Sequence, residues 1–188
     1  SARHLAARFG SPGTVLIGLA LELVGVVALV LLITGSTPGW IAAIPLVVYG
    51  VGLGLASAQL TGTVLRDVPV GVSGQASATQ STVRQIGSAL GTAFAGAALS
   101  VSLALTLPSA LTGAGITGTA ADELAASTRQ SAGTVIAQLR GEGSSAAAVD
   151  ALAQGFADAT RWSLIVASVF LLLGVVGAAR LRRVAERS

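Results

Sequence analysis

The chain has 188 residues, of which 53% are hydrophobic and 10% are charged, and its mean hydropathy is +0.81. Because a soluble domain has about a quarter of its residues charged, this composition predicts an integral membrane protein. The net charge of only +3 argues against nucleic acid as a partner, and the absence of cysteine together with a single histidine excludes disulfides, thiolate metal sites and histidine clusters.

Residues 13–35 form the first long apolar run, and we expect the charged stretch before it, residues 1–12, to be a cytoplasmic loop. As a helix, a run of this length extends about 34 Å, enough to cross a hydrocarbon core of about 30 Å. One acid, Glu22, falls near its middle. A charged carboxylate at that depth is costly and usually faces protein or water. Glu22 is therefore either a proton-coupling group or a protonated acid bonded to a neighbouring helix.

An uncharged turn and Trp40, an aromatic residue typical of the membrane interface, precede the second predicted span at residues 40–65. This span contains Pro45 and a glycine series at positions 50, 52 and 54. Proline removes a backbone hydrogen bond and glycine permits close approach, so we predict an irregular helix that packs through Gly50, Gly52 and Gly54.

A second cytoplasmic loop, predicted at residues 66–74, leads into a helix at residues 75–107, whose membrane part we place at 85–107. We expect Pro108 to end this helix, because proline disfavours helical geometry in the residue before it.

Polar side chains open this third helix at Gln80, Arg84 and Gln85. Further along, Gly87 and Gly91 are spaced by four residues, and Ala95 continues the series. Such spacing produces a strip without side-chain bulk, along which another helix can approach closely.

Charge returns in residues 108–160, which we predict to be a partly helical extracytoplasmic loop. Thr119 is positioned to cap a helix that runs to about Arg140, and a second helix is predicted to start at Ser144. The apolar face of this second helix is expected to contain Val149, Leu152 and Phe156.

The last predicted span covers residues 161–180 and is followed by an arginine-rich tail, residues 181–188. With four spans, both ends of the chain lie on the same side of the membrane. Most arginines near span ends fall on that side, so the positive-inside rule predicts that both ends are cytoplasmic.

Residues 50–99, GVGLGLASAQLTGTVLRDVPVGVSGQASATQSTVRQIGSALGTAFAGAAL, resemble the third- and second-last helices of proton-coupled drug exporters of the major facilitator superfamily. The fourteen-span branch is the most similar, through its glycine-rich helix, its VP…G-x-A-S elbow and its R-Q-x-G-x-A-x-G helix. The opening LAARFGSPG is similar to the basic loop of that superfamily, with Arg8 and Gly10 in matching places. The resemblance implies an all-α membrane fold, in which the chain forms the last four helices of a larger carrier's C-terminal bundle.

The resemblance also implies roles for polar residues of the two middle helices. Those of the second helix would line the substrate cavity: Tyr49, Ser57, Gln59 and Thr61. Gln80, Arg84 and Gln85 would lie at the inner mouth of that cavity. Arg84 would pair with a carboxylate across the interface between the two bundles, or its guanidinium would reach the lipid headgroups as an anchor. Glu22 falls on a peripheral helix.

The implied function is export of hydrophobic or amphiphilic drugs in exchange for protons by alternating access, in a bacterial plasma membrane. The proton gradient would supply the coupling ion, with no cofactor or metal. The partners would be the lipid bilayer, a small hydrophobic or cationic substrate and the remaining helices of the carrier, without nucleic acid.

Two other functions also fit the residues. One is a small four-helix exporter that acts as a dimer, in which Glu22 carries both proton and drug, and the other is a membrane scaffold subunit without transport. An enzyme is not expected, because the sequence has no Ser/His/Asp set, metal constellation or phosphate-binding loop.

Overall fold

The computed structural model describes residues 2–65 and 68–185, without the side chains of residues 2–9, 11, 12, 61, 63–65 and 181–185. Helix accounts for 88% of the chain, and no strand occurs in the described ranges, which confirms the all-α prediction. In chain order the helices are α1 (Ala2–Leu32), α2 (Gly39–Leu65), a 3-10 turn (Val70–Val72), α3 (Ser73–Gly113), α4 (Thr119–Gln130), α5 (Thr134–Gly141) and α6 (Ala146–Ala185).

Four of the described helices are long and apolar enough to cross a membrane. Their apolar stretches follow the order of the predicted spans: Gly13–Leu32, Gly39–Leu60, Val70–Gly113 and Ala146–Arg180. Length and composition are properties of each segment alone, so hydropathy was sufficient to find them.

Helix α1 begins earlier than expected, since the predicted loop at residues 1–12 is helical from Ala2 onward. Alanine, leucine and arginine dominate residues 2–8 and favour helix. Gly10 interrupts the helix with a φ of 72°, a left-handed conformation that glycine adopts without steric cost. Pro12 follows in the first turn after this break, where proline is tolerated.

Helices α3 and α6 both extend far beyond the predicted spans, so the predicted end at Pro108 is wrong. Helix α3 has 41 residues and α6 has 40, which corresponds to about 60 Å each, twice the thickness of a hydrocarbon core. Proline inside a helix removes one backbone hydrogen bond. Here Pro108 is exposed, while Leu107 and Leu111 beside it are fully buried. Their burial keeps the chain helical past the proline.

The segment predicted as an extracytoplasmic loop, residues 108–160, is therefore mainly helical. The single helix expected from Thr119 to about Arg140 is two helices, α4 and α5, separated at Gly133. The helix expected to start at Ser144 begins at Ala146 as α6 and continues into the last apolar stretch without a break.

The chain divides into two compact units. The first contains residues up to 28, residues 43–93 and residues from 167 onward, and the second contains residues 29–42 and 94–166. Helices α1, α2, α3 and α6 each contribute residues to both.

In the first unit, α1 and α2 meet with their backbones in contact. A Cβ built on Gly18 would lie 2.7 Å from Gly52 O, and one built on Gly25 would lie 2.8 Å from Pro45 O and from Tyr49 N. Gly18 and Gly25 are seven residues apart, which places them on the same face of α1. These glycines of the first span set the helix contact, and no role was predicted for them from the sequence.

The second unit has a core of leucine and alanine side chains. Leu103, Leu107 and Leu111 are spaced by four residues on one face of α3 and pack with Leu152 of α6. On α6, Val149 and Leu152 are buried and Phe156 packs against the core, as predicted from their spacing. The amphipathic pattern of this segment thus corresponds to a packed hydrophobic core.

One hydroxyl joins α3 to α6 inside this unit. Thr106 Oγ1 lies 2.8 Å from Gly155 O and 2.9 Å from Ser102 O, and its single hydrogen is shared between the two carbonyls. A Cβ on Gly155 would lie 3.3 Å from Thr106 O. Because Gly155 has no side chain, α3 and α6 can cross closely enough for this hydrogen bond to form.

The C-terminal end of α1 is capped by side chains. The backbone N–H of Thr34 donates to Thr37 Oγ1 at 2.9 Å, so it does not bond the Val30 carbonyl, which accepts from Arg161 Nε at 3.1 Å. Thr37 Oγ1 in turn donates to the Leu32 carbonyl at 2.8 Å. Carbonyl groups at a helix end lack partners within the helix, and these two side chains supply them.

Gly133 allows a test of the second unit. Its φ is 86°, and a Cβ there would lie 2.8 Å from the Phe156 ring. We expect Gly133→Ala to lower the free energy of unfolding by about 1 to 2 kcal/mol from the left-handed backbone and by about 1 to 3 kcal/mol more from overpacking. The matched control is Gly115→Ala, because Gly115 has a φ of 78° but nothing within 4 Å of its Cβ position. SDS-titration unfolding measures both variants, and an equal loss of unfolding free energy in Gly133→Ala and Gly115→Ala would contradict the contact with Phe156.

Candidate functional site

A cavity of about 700 Å³ lies in the first unit, where α2 ends and α3 begins. Leu60 of α2 and Val72 of the 3-10 turn form part of its wall. Helix α3 supplies the rest from one face, with residues spaced by three and four positions: Ala76, Thr79, Gln80, Val83 and Arg84, preceded by Gln75.

Local hydrogen bonds shape the turn before α3. Val72 N donates to Pro69 O at 3.0 Å, which closes the 3-10 turn. Ser73 Oγ donates to Val70 O at 2.8 Å and fixes the first residue of α3. The proline, with its restricted φ, and the serine thus bring Val72 to the cavity wall.

The cavity is mainly apolar, with a few polar groups. Its volume falls in the range of about 300 to 1,000 Å³ that is typical of small-molecule sites. Thr79 Oγ1 donates to Gln75 O at 3.0 Å, within its own helix, and keeps its oxygen as an acceptor. The Arg84 side chain is exposed and forms no ion pair with any described carboxylate. Arg84 is therefore available to a ligand in the cavity.

Two residues predicted for the inner mouth, Gln80 and Arg84, line this cavity together. Gln85 is exposed and does not line it, because one further residue along a helix turns the side chain by about 100°. On α2, Leu60 lines the cavity, whereas Ser57 and Gln59 do not.

Tyr49 and Thr61 were also predicted to line the cavity. Tyr49 packs against α1 at Gly25, away from the cavity lining. The side chain of Thr61 lies outside the part of the chain that the structure describes, so its predicted role is untested.

Sequence reasoning missed the apolar wall of the cavity. Ala76 lies four residues before Gln80, and Thr79 lies one residue before it. Val83 lies three residues after Gln80. Extending the helical period from Gln80 and Arg84 would have identified this face. Leu60 could not have been found in that way, because only the tertiary structure brings it to α3.

Glu22 lies in the contact between α1 and α2, and its exposed fraction is only 5%. A Cβ on Gly52 would lie 2.7 Å from Glu22 N, which places the acid at the point where the backbones touch. Within the described part of the chain, no hydrogen bond joins the Glu22 carboxyl to another helix.

The glycines predicted to pack helices have different environments. Gly52 contacts α1, but nothing lies within 4 Å of the Cβ positions of Gly50, Gly54, Gly87 and Gly91. Positions 50 and 54 are two residues from 52, about 200° around the helix, and so face away from α1. The packing expected at these four glycines is not made among the described residues. Any such packing would involve other helices.

Helix α3 has a long exposed stretch, since every residue from 82 to 97 is exposed, and Ser163 Oγ of α6 donates to Ala95 O within it at 3.4 Å. Gly87 and Gly91 lie in this stretch.

Among the described residues, no group of three or more histidine, aspartate or glutamate side chains could hold a metal ion.

No protein-family model, curated protein sequence or solved structure matches this chain. The class of the protein is therefore defined by its own fold. It is an all-helical protein with four described helices that are long and apolar enough to cross a membrane.

Proposed function

We propose that the chain is the C-terminal part of a secondary active transporter, which exports hydrophobic or amphiphilic compounds in exchange for protons by alternating access. The observation that supports this most is the cavity of about 700 Å³ between α2 and α3. An apolar wall with a few hydrogen-bonding groups is typical of sites that bind drug-sized molecules. Gln80 and Arg84 supply such groups.

The proposed location is the cell membrane, with both ends of the chain cytoplasmic. Large apolar side chains on the four long helices are exposed, among them Leu31, Leu46, Leu105 and Leu173. Such an amount of exposed apolar surface is unusual for a protein in water, whereas a bilayer covers it without cost. The basic residues near the ends of the chain agree with the positive-inside rule.

The proposed partners are the remaining helices of the parent carrier. Alternating access requires two helical units that rock around a central site. The exposed stretch of α3 at residues 82–97 supports such a partner, because Gly87 and Gly91 would allow a helix to approach closely.

Glu22 is the proposed proton carrier. An acid inside a membrane span is normally functional, because burial of its charge is costly. The purely structural alternative requires a bond from the carboxyl to a neighbouring helix, and no such bond forms among the described residues. This favours the proton-carrying role over the structural one.

The proposal is tested with inside-out vesicles that contain the full-length protein of which this chain is part. A pH gradient is imposed, and uptake is followed for a panel of fluorescent cationic, neutral and anionic amphiphiles. We expect uptake of at least one probe that depends on the gradient and stops on addition of a protonophore. Uptake equal to that of protein-free vesicles for every probe would contradict the proposal.

A further inference from the structure

The charge that the described residues bring to the cavity between α2 and α3 is positive. Among its described lining residues, Arg84 is the one charged side chain, and none is acidic. In the sequence, Arg66 and Asp67 have opposite formal charges. The positive end of the α3 dipole, at Ser73, lies at the same end of the helix as the cavity. The local electrostatic potential is therefore positive.

Arg84 has the chemistry to hold an anionic group. A guanidinium offers a planar set of N–H donors that fit a carboxylate or sulfonate in a bidentate manner. No described carboxylate occupies these donors. One turn away, Gln80 lines the same cavity.

The apolar body of a ligand would lie beside this cation. Val83, Ala76 and Val72 continue the wall from Arg84 toward the start of α3, and Leu60 faces them from α2. A molecule with an anionic head and an apolar tail matches both parts of the cavity. A volume of about 700 Å³ is that of a drug-sized ligand site, so we commit to a small single-tailed amphiphile as the occupant.

We propose that this cavity selects anionic amphiphiles over cationic ones of the same size. The inference rests on the proposed transport function and names its substrate class. It differs from the cationic substrate that the sequence resemblance implies, because a cationic head would lie next to Arg84 without a carboxylate to compensate it. Like charges in contact across a binding site are strongly disfavoured, and we expect a preference of about tenfold or more.

The experiment uses two photoreactive probes that differ only in their permanently charged head group. Both have a dodecyl chain with a diazirine; one ends in a sulfonate and the other in trimethylammonium. The full-length protein is placed in phosphatidylcholine nanodiscs without a pH gradient, and labelled residues are mapped by mass spectrometry. We expect the sulfonate probe to label residues 68–83 about tenfold more than the ammonium probe, and excess unlabelled dodecyl sulfonate to prevent this labelling.

Three variants test the role of the guanidinium. Arg84→Gln is expected to reduce sulfonate labelling about fivefold or more, whereas Arg84→Lys, which keeps the charge, retains most of it. Arg180→Gln is the matched control, because it removes an exposed arginine that does not line the cavity, and it is expected to leave labelling unchanged. Since the Arg84 side chain is exposed and unpaired among the described residues, loss of labelling in Arg84→Gln should occur without loss of thermal stability.

Several results would overturn the inference. These are equal labelling by the two probes, no effect of Arg84→Gln, or displacement of the sulfonate probe by phosphatidylglycerol in the nanodisc, which would assign the cavity to a lipid. The transport function and the anion preference can be contradicted independently of each other. Gradient-driven uptake of cationic probes alone would support the transporter and overturn the anion preference, whereas Arg84-dependent labelling without uptake would support the preference and contradict transport.

Discussion

Replacement of Gly52 with leucine is expected to separate α1 from α2. A Cβ at this position would lie 2.5 Å from Gly18 O and 2.7 Å from Glu22 N. Both are backbone atoms, so no side-chain rotation can relieve the overlap, and the two helices must move apart. Overpacking typically costs about 1 to 3 kcal/mol, and we expect this substitution to exceed the upper end of that range. SDS-titration unfolding of the purified chain measures the loss.

The matched control lies two residues along the same helix, on its opposite side. Gly54→Ala places a methyl group where nothing lies within 4 Å, and alanine is favoured over glycine in a helix by up to about 1 kcal/mol. We therefore expect Gly54→Ala to be neutral or stabilising, opposite in sign to Gly52→Ala. Equal effects of the two alanine variants would show that α1 does not contact α2 through Gly52.

The same pair of substitutions also tests whether other helices pack on α2. In the isolated chain Gly54→Ala should not destabilise, but in a complete carrier the exposed face of α2 would meet further helices. Destabilisation by Gly54→Ala in the full-length protein alone would locate such a contact at Gly54. The packing predicted at Gly50 and Gly54 would then hold at the level of the whole carrier.

Hydropathy predicted the four long apolar helices, because each is a property of a continuous segment. It could not predict that α3 continues past Pro108. The usual effect of proline on helices favours an end at that point, and the opposing effect is the burial of Leu103, Leu107 and Leu111 against α4 and α6. That burial depends on residues far away in the sequence.

The glycines show the same difference between local and tertiary information. The G-x-G-x-G series in α2 drew attention to positions 50, 52 and 54, yet residues two apart lie on opposite sides of a helix. The actual contact uses Gly18 and Gly25 of α1, which stand alone in the sequence, together with Gly52. The interval of seven residues between Gly18 and Gly25, together with one glycine of α2, could have suggested this pairing.

The candidate site was predictable in part. Gln80 and Arg84 were recognised as polar residues at the start of an apolar helix, and the structure brings both to one cavity. Tyr49 was assigned to the cavity because it is a polar residue of the helix that the resemblance makes cavity-lining, but it lies at the contact with α1, against Gly25. The face of a helix that meets its neighbour decides such roles, and residue type alone does not reveal it.

Replacement of Glu22 with glutamine is expected to uncouple transport from the proton gradient. Glutamine has nearly the volume of the acid, so it should fit the contact where Glu22 is 5% exposed, but it cannot release a proton. We expect gradient-driven uptake to fall about tenfold or more. Exchange of labelled for unlabelled substrate across vesicles at equal pH should persist, because exchange needs the cavity and the conformational change without net proton movement.

The combination of these two measurements separates the possible roles of the acid. Glu142→Gln is the control, because Glu142 is exposed and hydrogen-bonds only Gln138 among the described residues. An acid that the α1–α2 contact needs for its stability would lose uptake, exchange and thermal stability together in Glu22→Gln, since all three require that contact. A coupling acid loses uptake alone. Unchanged gradient-driven uptake in Glu22→Gln would remove Glu22 from the coupling mechanism and leave its burial in the helix contact as a matter of packing.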